Sequence, residues 1–152
     1  YGPAYEAAMA LSFTGLGLPL IYNGQEADND RQLAFFERDP IVWREGKRAA
    51  LIAKLIALKT GARALHNGRF GAALVEVPTN ATADVFAFTR GQAGERVFAV
   101  FNLSPRPQQV VFAQQRHNGR YSDALSGEAM AFNGGETLAL APWGYRIFKE
   151  TK

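Results

Sequence analysis

Within residues 17–27, GLPLIYNGQEA, five consecutive residues hold the groups best suited to chemistry: Tyr22, Asn23, Gly24, Gln25 and Glu26. Two carboxamides and a carboxylate this close together can hold and orient neighbouring groups through hydrogen bonds. Gly24 between them suits a tight backbone turn. General acid/base work on a sugar would need more, namely a pair of carboxylates with opposed pKa shifts in a dry cleft. Glu26, Asp28 and Asp30, and likewise Glu37 and Asp39, are spaced at two and share a face of an extended chain. Neither set encloses a cleft in a segment this short. The expected catalytic set is therefore empty, with Glu26 a single scaffold carboxylate followed by a solvated loop.

The elements that position these groups read helix, strand, helix. Pro3 fits a first helical turn, residues 4–13 are rich in helix formers, and Gly15 is expected to close the helix as a left-handed cap. Pro19 followed by Leu20, Ile21 and Tyr22 reads as a short buried strand, apolar on both faces as in parallel sheets. Polar groups just past such a strand's C-terminal end are where α/β barrels keep their chemistry. A single parallel strand leaves N–H and C=O groups unpaired on both edges, at roughly 1–3 kcal/mol for each one buried. It therefore needs neighbours from another chain, from further sequence or from the rest of this one. Asp39 and Pro40 form an N-cap and first-turn signature, and the main helix is expected from Lys47 to about Thr60. Leu51, Ile52, Leu55, Ile56 and Leu58 give that helix a broad apolar face, and Gly61 is expected to stop it.

Near Phe70 the pattern changes to period two. Eight short apolar runs follow, from residues 73–77 to residues 145–149, separated by turn residues such as Asn118-Gly119 and Asn133-Gly134-Gly135. This is the spacing of an antiparallel sandwich, with residues 97–103 apolar on both faces and hence central. The domain boundary is placed at about residue 66.

Composition narrows the function classes. The chain has 152 residues, 47% hydrophobic and 20% charged, as in globular proteins. No apolar run approaches the roughly 20 residues of a membrane span. The net charge of +3 comes from 17 basic and 14 acidic residues without a basic run, so neither nucleic acid nor membrane is an expected partner. Cysteine is absent, which excludes disulfides and thiolate metal sites. Asp28, Asn29 and Asp30 open like a calcium loop, but the glycine and distal glutamate that must follow are missing, so no metal ligand is assigned. His66 and His117 stand alone beside turn residues and are expected to be solvated. Trp43, Trp143, Tyr121 and Tyr145 are candidates for sugar stacking or for the core. Asn80-Ala81-Thr82 fits a glycosylation sequon. Tyr1 in place of Met is read as a processed or cloned start, and localisation is left open.

The order helix, GLPLIYNGQEA, LAFFERDPIVW, amphipathic helix and antiparallel sandwich resembles the α-amylase family of glycoside hydrolases. GLPLIYNGQEA is similar to that family's motif on the last barrel strand, and LAPWGYRIF at residues 140–148 is similar to the closing strand of its C-terminal sandwich. The resemblance implies an α+β chain: residues 1–65 as the terminal helix–strand–helix unit of a (β/α)8 barrel, and residues 66–152 as a Greek-key β-sandwich of about eight strands. It implies a parent glycosidase acting on α-linked glucans, with its catalytic carboxylates upstream of Tyr1 and the chain itself inactive. Tyr22, Asn23, Gln25 and Glu26 would then lie near substrate or behind the residues that touch it. No cofactor is implied beyond a structural calcium in the parent, for which no ligands occur here. The expected partners are an α-linked oligo- or polysaccharide and either the missing barrel or a second copy against residues 1–65. The rival expectation is a carbohydrate-binding or assembly module.

Overall fold

The computed structural model describes residues 2–151. After a 3-10 turn at Gly2–Ala4, helix α1 spans Tyr5–Thr14 and buries Ala7, Met9, Ala10 and Phe13. It ends where the Gly15 N–H donates to the Leu11 carbonyl at 2.8 Å. Gly15 has φ of −68°, so it is an extended exit and not the left-handed cap the sequence suggested. Helix α2 spans Lys47–Gly61, with Gly61 its last residue. Ile52, Leu55 and Leu58 are buried on its apolar face, while Ile56 points largely to solvent.

All eight expected strands form: β1 Leu74–Glu76, β2 Val85–Arg90, β3 Val97–Asn102, β4 Gln108–Val111, β5 Gly119–Asp123, β6 Ala129–Phe132, β7 Thr137–Leu140 and β8 Tyr145–Glu150. Every pairing between them is antiparallel. Six strands make one sheet in the order β1-β2-β3-β8-β5-β6, and β4 pairs with β7 in a second. The period-two alternation sorts β3 between two cores. Val97, Ala99 and Phe101 join Phe88 and Ile147 against α1 and α2. Phe98 and Val100 join Val85, Phe148, Val110 and Leu138 between the two sheets. All six β3 residues are buried, the central position their composition called for. At about 1.5–3 kcal/mol for each large apolar side chain removed from water, β3 anchors both layers.

Two buried cations join the helices to the sheet. Arg90, at the end of β2, is 2% exposed and donates to the carbonyls of Thr14, Gly15, His66 and Ala72 at 2.7–3.2 Å. Lys59 donates to Phe13, Gly17 and Leu65 at 3.1–3.2 Å. Neither has a carboxylate partner among the described residues. Burial lowers the pKa of both groups, and the neighbouring Arg90 charge lowers that of Lys59 further.

Three expectations fail for identifiable reasons. Residues 19–22 form no strand, and Leu20 is 77% exposed, because none of the eight strands pairs with them. Asp39 caps no helix: its carboxylate accepts from both terminal nitrogens of Arg31 and, at 2.8 Å, from the Ala34 N–H, which closes a loop instead. His117 is not solvated. It is buried, its ring centroid lies 4.4–5.3 Å from those of Phe112, Phe98 and Phe132, and neither ring nitrogen has a hydrogen-bond partner.

Asp28 departs most from expectation. The residue at the N-cap of α2 is Gly46, which has no side chain to offer, and Asp28, nineteen positions before Lys47, fills the role. Its carboxylate accepts from the N–H groups of Lys47 at 2.6 Å and Arg48 at 3.4 Å, and pairs with the Arg48 guanidinium at 3.2 Å. A carboxylate at a helix N-terminus also complements the helix dipole. Gly46 is required by close approach, since a Cβ there would lie 2.3 Å from the Glu26 carbonyl oxygen.

Two outcomes are expected. Asp28→Ala should cost roughly 1–2 kcal/mol, the usual scale of a lost cap, and hydrogen exchange should find Lys47 and Arg48 deprotected; unchanged protection there would contradict the remote cap. Burial holds His117 below the ordinary imidazole range, with Glu136 opposing the drop and Arg96 adding to it. The folded domain thus keeps the ring neutral where the unfolded chain begins to protonate it, below about pH 6.5. Stability is full above that pH and declines below it, by at most about 1.4 kcal/mol per pH unit, until the folded protein takes up the proton itself. His117→Leu should therefore lose less stability than the parent in urea melts between pH 7 and pH 5. Equal losses would clear the imidazole of this role.

Candidate functional site

Residues 22–29 fold into overlapping turns. The Gln25 N–H donates to the Tyr22 carbonyl at 3.0 Å, while those of Ala27 and Asn29 donate to the Gly24 carbonyl at 3.1 and 3.0 Å. Gly24 has φ of +94°, a left-handed conformation that disfavours any side chain. The Gln25 side-chain oxygen accepts from the Tyr22 N–H at 2.7 Å, which locks that amide against its own turn. From below, the Arg44 guanidinium donates to the carbonyls of Ala27 at 3.1 Å and Asp28 at 3.0 Å.

The outer side of these turns is one wall of an open cavity of about 390 Å³. Tyr22, Asn23, Gly24 and Gln25 all line it, so the structure gathers four of the five residues singled out from sequence. A second wall comes from Arg31, Gln32, Leu33 and Phe35, and Asn29 and Tyr5 of α1 also line the cavity. The Arg31–Asp39 pair holds this second wall, and its guanidinium together with the Ala34 N–H draws the Asp39 carboxyl down to about 2. Arg31 also reaches the Pro40 carbonyl at 3.0 Å. Arg48 lies 4.5 Å over the ring of Tyr5, and burial raises the pKa of that phenol.

Glu26 does not line the cavity. It is half-buried, and one carboxylate oxygen is enclosed without a hydrogen-bond partner. An enclosed carboxylate oxygen gains strongly from a donor and is costly without one. Asp28 and Asp39 are committed to capping and to Arg31. The cavity therefore offers amides, a guanidinium and an aromatic edge, which can grip hydroxyl groups. No group of three or more His, Cys, Asp or Glu residues placed to hold a metal occurs among the described residues.

Sequence reasoning missed the second wall. Its available signal was Arg31 eight residues before Asp39, an opposite-charge pair able to close a loop. The remote cap by Asp28 left none. The sequon at Asn80 is structurally occupied, since its amide nitrogen donates to the Gln109 carbonyl at 3.0 Å and its oxygen accepts from the Val111 N–H at 2.9 Å. Among the candidate platforms, Tyr121 is buried and Trp143 half-buried at φ of +56°, whereas Trp43 is 59% exposed beside exposed Val42. Phe35 and Phe36 are the most exposed rings, at 90% and 93%, and pack edge to face with centroids 4.8 Å apart.

Comparison with known proteins bears on the whole arrangement. No curated protein sequence matches the chain. The noncanonic maltogenic α-amylase AmyB of Thermotoga neapolitana superposes with a TM-score of 0.81 at 14% identity, covering 100% of this chain and 37% of the other. An Anoxybacillus α-amylase gives 0.76 at 18% identity, over 97% of this chain and 32% of that one. The maltogenic amylase of S. marinus gives 0.70 at 16% identity, over 99% and 20%. At these identities the likeness establishes the fold, and the chain spans no more than 37% of the length of these proteins. The sequence of residues 75–147 matches the family model of the maltogenic amylase C-terminal domain. Residues 75–147 thus match a C-terminal domain of maltogenic amylases in sequence, on a fold shared with these α-amylases.

Proposed function

We propose that the chain is the C-terminal portion of an α-amylase-type glycoside hydrolase acting on α-glucans or maltooligosaccharides. Residues 1–65 are its last (β/α)8 barrel unit, and the eight strands behind them form a Greek-key sandwich. The observation that carries this reading is the pairing of two features in residues 16–26. Apolar Leu16, Leu18, Leu20 and Ile21 lie exposed, and the polar Tyr22–Gln25 turn follows directly at their end. Neighbouring parallel strands on the exposed stretch would restore its main-chain pairing and bring the polar turn to the C-terminal mouth of a barrel.

In this reading the reacting carboxylates stand on earlier strands. A retaining glycosidase needs two of them about 5–5.5 Å apart, one as nucleophile and one as acid/base. Asn23 and Gln25 hold hydroxyl groups or first-contact side chains from beneath. Glu26 stands behind these contacts and orients neighbouring groups through hydrogen bonds. Residues 1–65 are the contact surface for the barrel strands, or for a second copy of the chain where those are lacking.

Two measurements test this. The isolated chain should release no reducing ends from starch or maltooligosaccharides; reproducible turnover would place the carboxylates within it and overturn the proposal. In the longer protein, Glu26→Gln should lower kcat by up to about 10²-fold, the scale of a misplaced reacting group, with KM little changed. A variant with unaltered kcat would remove Glu26 from the positioning role.

A further inference from the structure

A second polar groove, sharing no lining residue with the 22–29 cavity, lies where the β2–β3 connection meets the turns that follow α2. It is open, of about 400 Å³, and its walls include Arg63, Phe70, Gln92 and Glu95. Phe70 is 71% exposed, and the Arg69 guanidinium lies 4.9 Å from its ring centre. The side chains of Arg63, Gln92 and Glu95 are exposed, and none makes a side-chain hydrogen bond or ion pair among the described residues. A guanidinium, a carboxamide and a carboxylate thus stand around an aromatic ring with their bonding capacity unspent.

The wall that carries Gln92 and Glu95 is held in place. The Glu95 N–H donates to the Gln92 carbonyl at 3.1 Å, and the Glu150 carboxylate accepts from the N–H groups of Gly94 at 2.8 Å and Arg96 at 3.2 Å. Such a groove is formed before any ligand arrives, which lowers the ordering cost of binding.

Charge and shape select the ligand class. The lining holds one cation, Arg63, and one anion, Glu95, with Arg69 packed on Phe70 outside it, so no net charge within the groove selects an ion. A neutral ring with hydroxyl groups on its edge and C–H bonds on its face suits the site on every side. The face lies on Phe70, while the hydroxyls donate to Glu95 and Gln92 and accept from Arg63 and Gln92. We propose that this groove is a sugar-binding site, separate from the 22–29 cavity, that takes pyranose units of an α-glucan. The choice of α-glucan over other neutral glycans rests on the function proposed above; the groove itself does not.

The test is titration of the ¹⁵N-labelled chain with maltohexaose and, separately, with cellohexaose, followed by amide shifts. The expected result is saturable movement of the Gly71, Gly91 and Gln92 amides with maltohexaose at millimolar concentration. Phe70→Ala should weaken it at least tenfold, and Gln92→Ala by a smaller factor. Because Phe70 is exposed, its variant should keep the parent spectrum elsewhere, which separates lost binding from lost folding. Saturable shifts at these amides with cellohexaose alone would uphold the sugar site and contradict the α-glucan reading. Maltohexaose shifts confined to the neighbourhood of Trp43 or residues 22–35, unchanged in Phe70→Ala, would overturn this groove and leave that reading intact. Absence of saturable shifts with both sugars would overturn the groove as a sugar site.

Discussion

Burying Arg90 and Lys59 with no carboxylate partner among the described residues is the constraint around which this molecule is organised. A desolvated cation is costly unless its protons find acceptors. Here those acceptors are main-chain carbonyls, four for Arg90 and three for Lys59. They come from the end of α1, from its continuation at Gly15 and Gly17, and from the turns after α2. The carbonyls at a helix C-terminus lack intrahelical donors and carry the negative end of the dipole, so Thr14 and Gly15 are apt partners. The two side chains thereby fix the exit of α1 against the sheet, and the direction of that exit decides where residues 16–22 leave the core.

From that exit the candidate site is built by a second set of contacts. Asp28 ties the far end of the 22–29 turns to the start of α2, and α2 is itself packed on the sheet through Ile52, Leu55 and Leu58. The close approach of Gly46 to the Glu26 carbonyl leaves no room for slack between turn and helix. Asn23 and Gln25 are therefore carried on a loop, yet their position is transmitted from the sandwich. This couples the β-domain to the polar cavity through α2. It gives the sandwich a mechanical part in positioning the site, beyond any ligand it binds itself.

Legibility in the sequence followed the range of the interactions. The strands were readable because alternation along Thr137–Leu140 is a local pattern that one buried face imposes, while the unbroken apolar run Val97–Phe101 marks a strand buried on both faces. Helices α1 and α2 were readable from helix formers and from the Leu51–Leu58 spacing. The polar turn was readable because Tyr22, Asn23, Gln25 and Glu26 follow an apolar run without a break. What sequence did not disclose depended on partners far along the chain. Asp28 caps a helix nineteen residues on, and Asp39 answers to Arg31 and not to the helix start that Asp39-Pro40 suggests. His117 is drawn under Phe98, Phe112 and Phe132 by sheet packing that its turn-rich neighbours do not announce. The apolar run Leu20 to Tyr22 is exposed, and the strands of this chain do not pair with it.

That uncovered run makes the central claim one about what surrounds residues 16–22 in the working protein. The most direct measurement is the size of the protein in its native cells, detected with an antibody against residues 66–152. A species of roughly 40 kDa or more, room for a barrel of about 250 residues in addition to the sandwich, is the predicted result. It would supply the strands that Leu20 and Ile21 lack. A sole species near 16.6 kDa, the mass of this chain alone, would contradict the account.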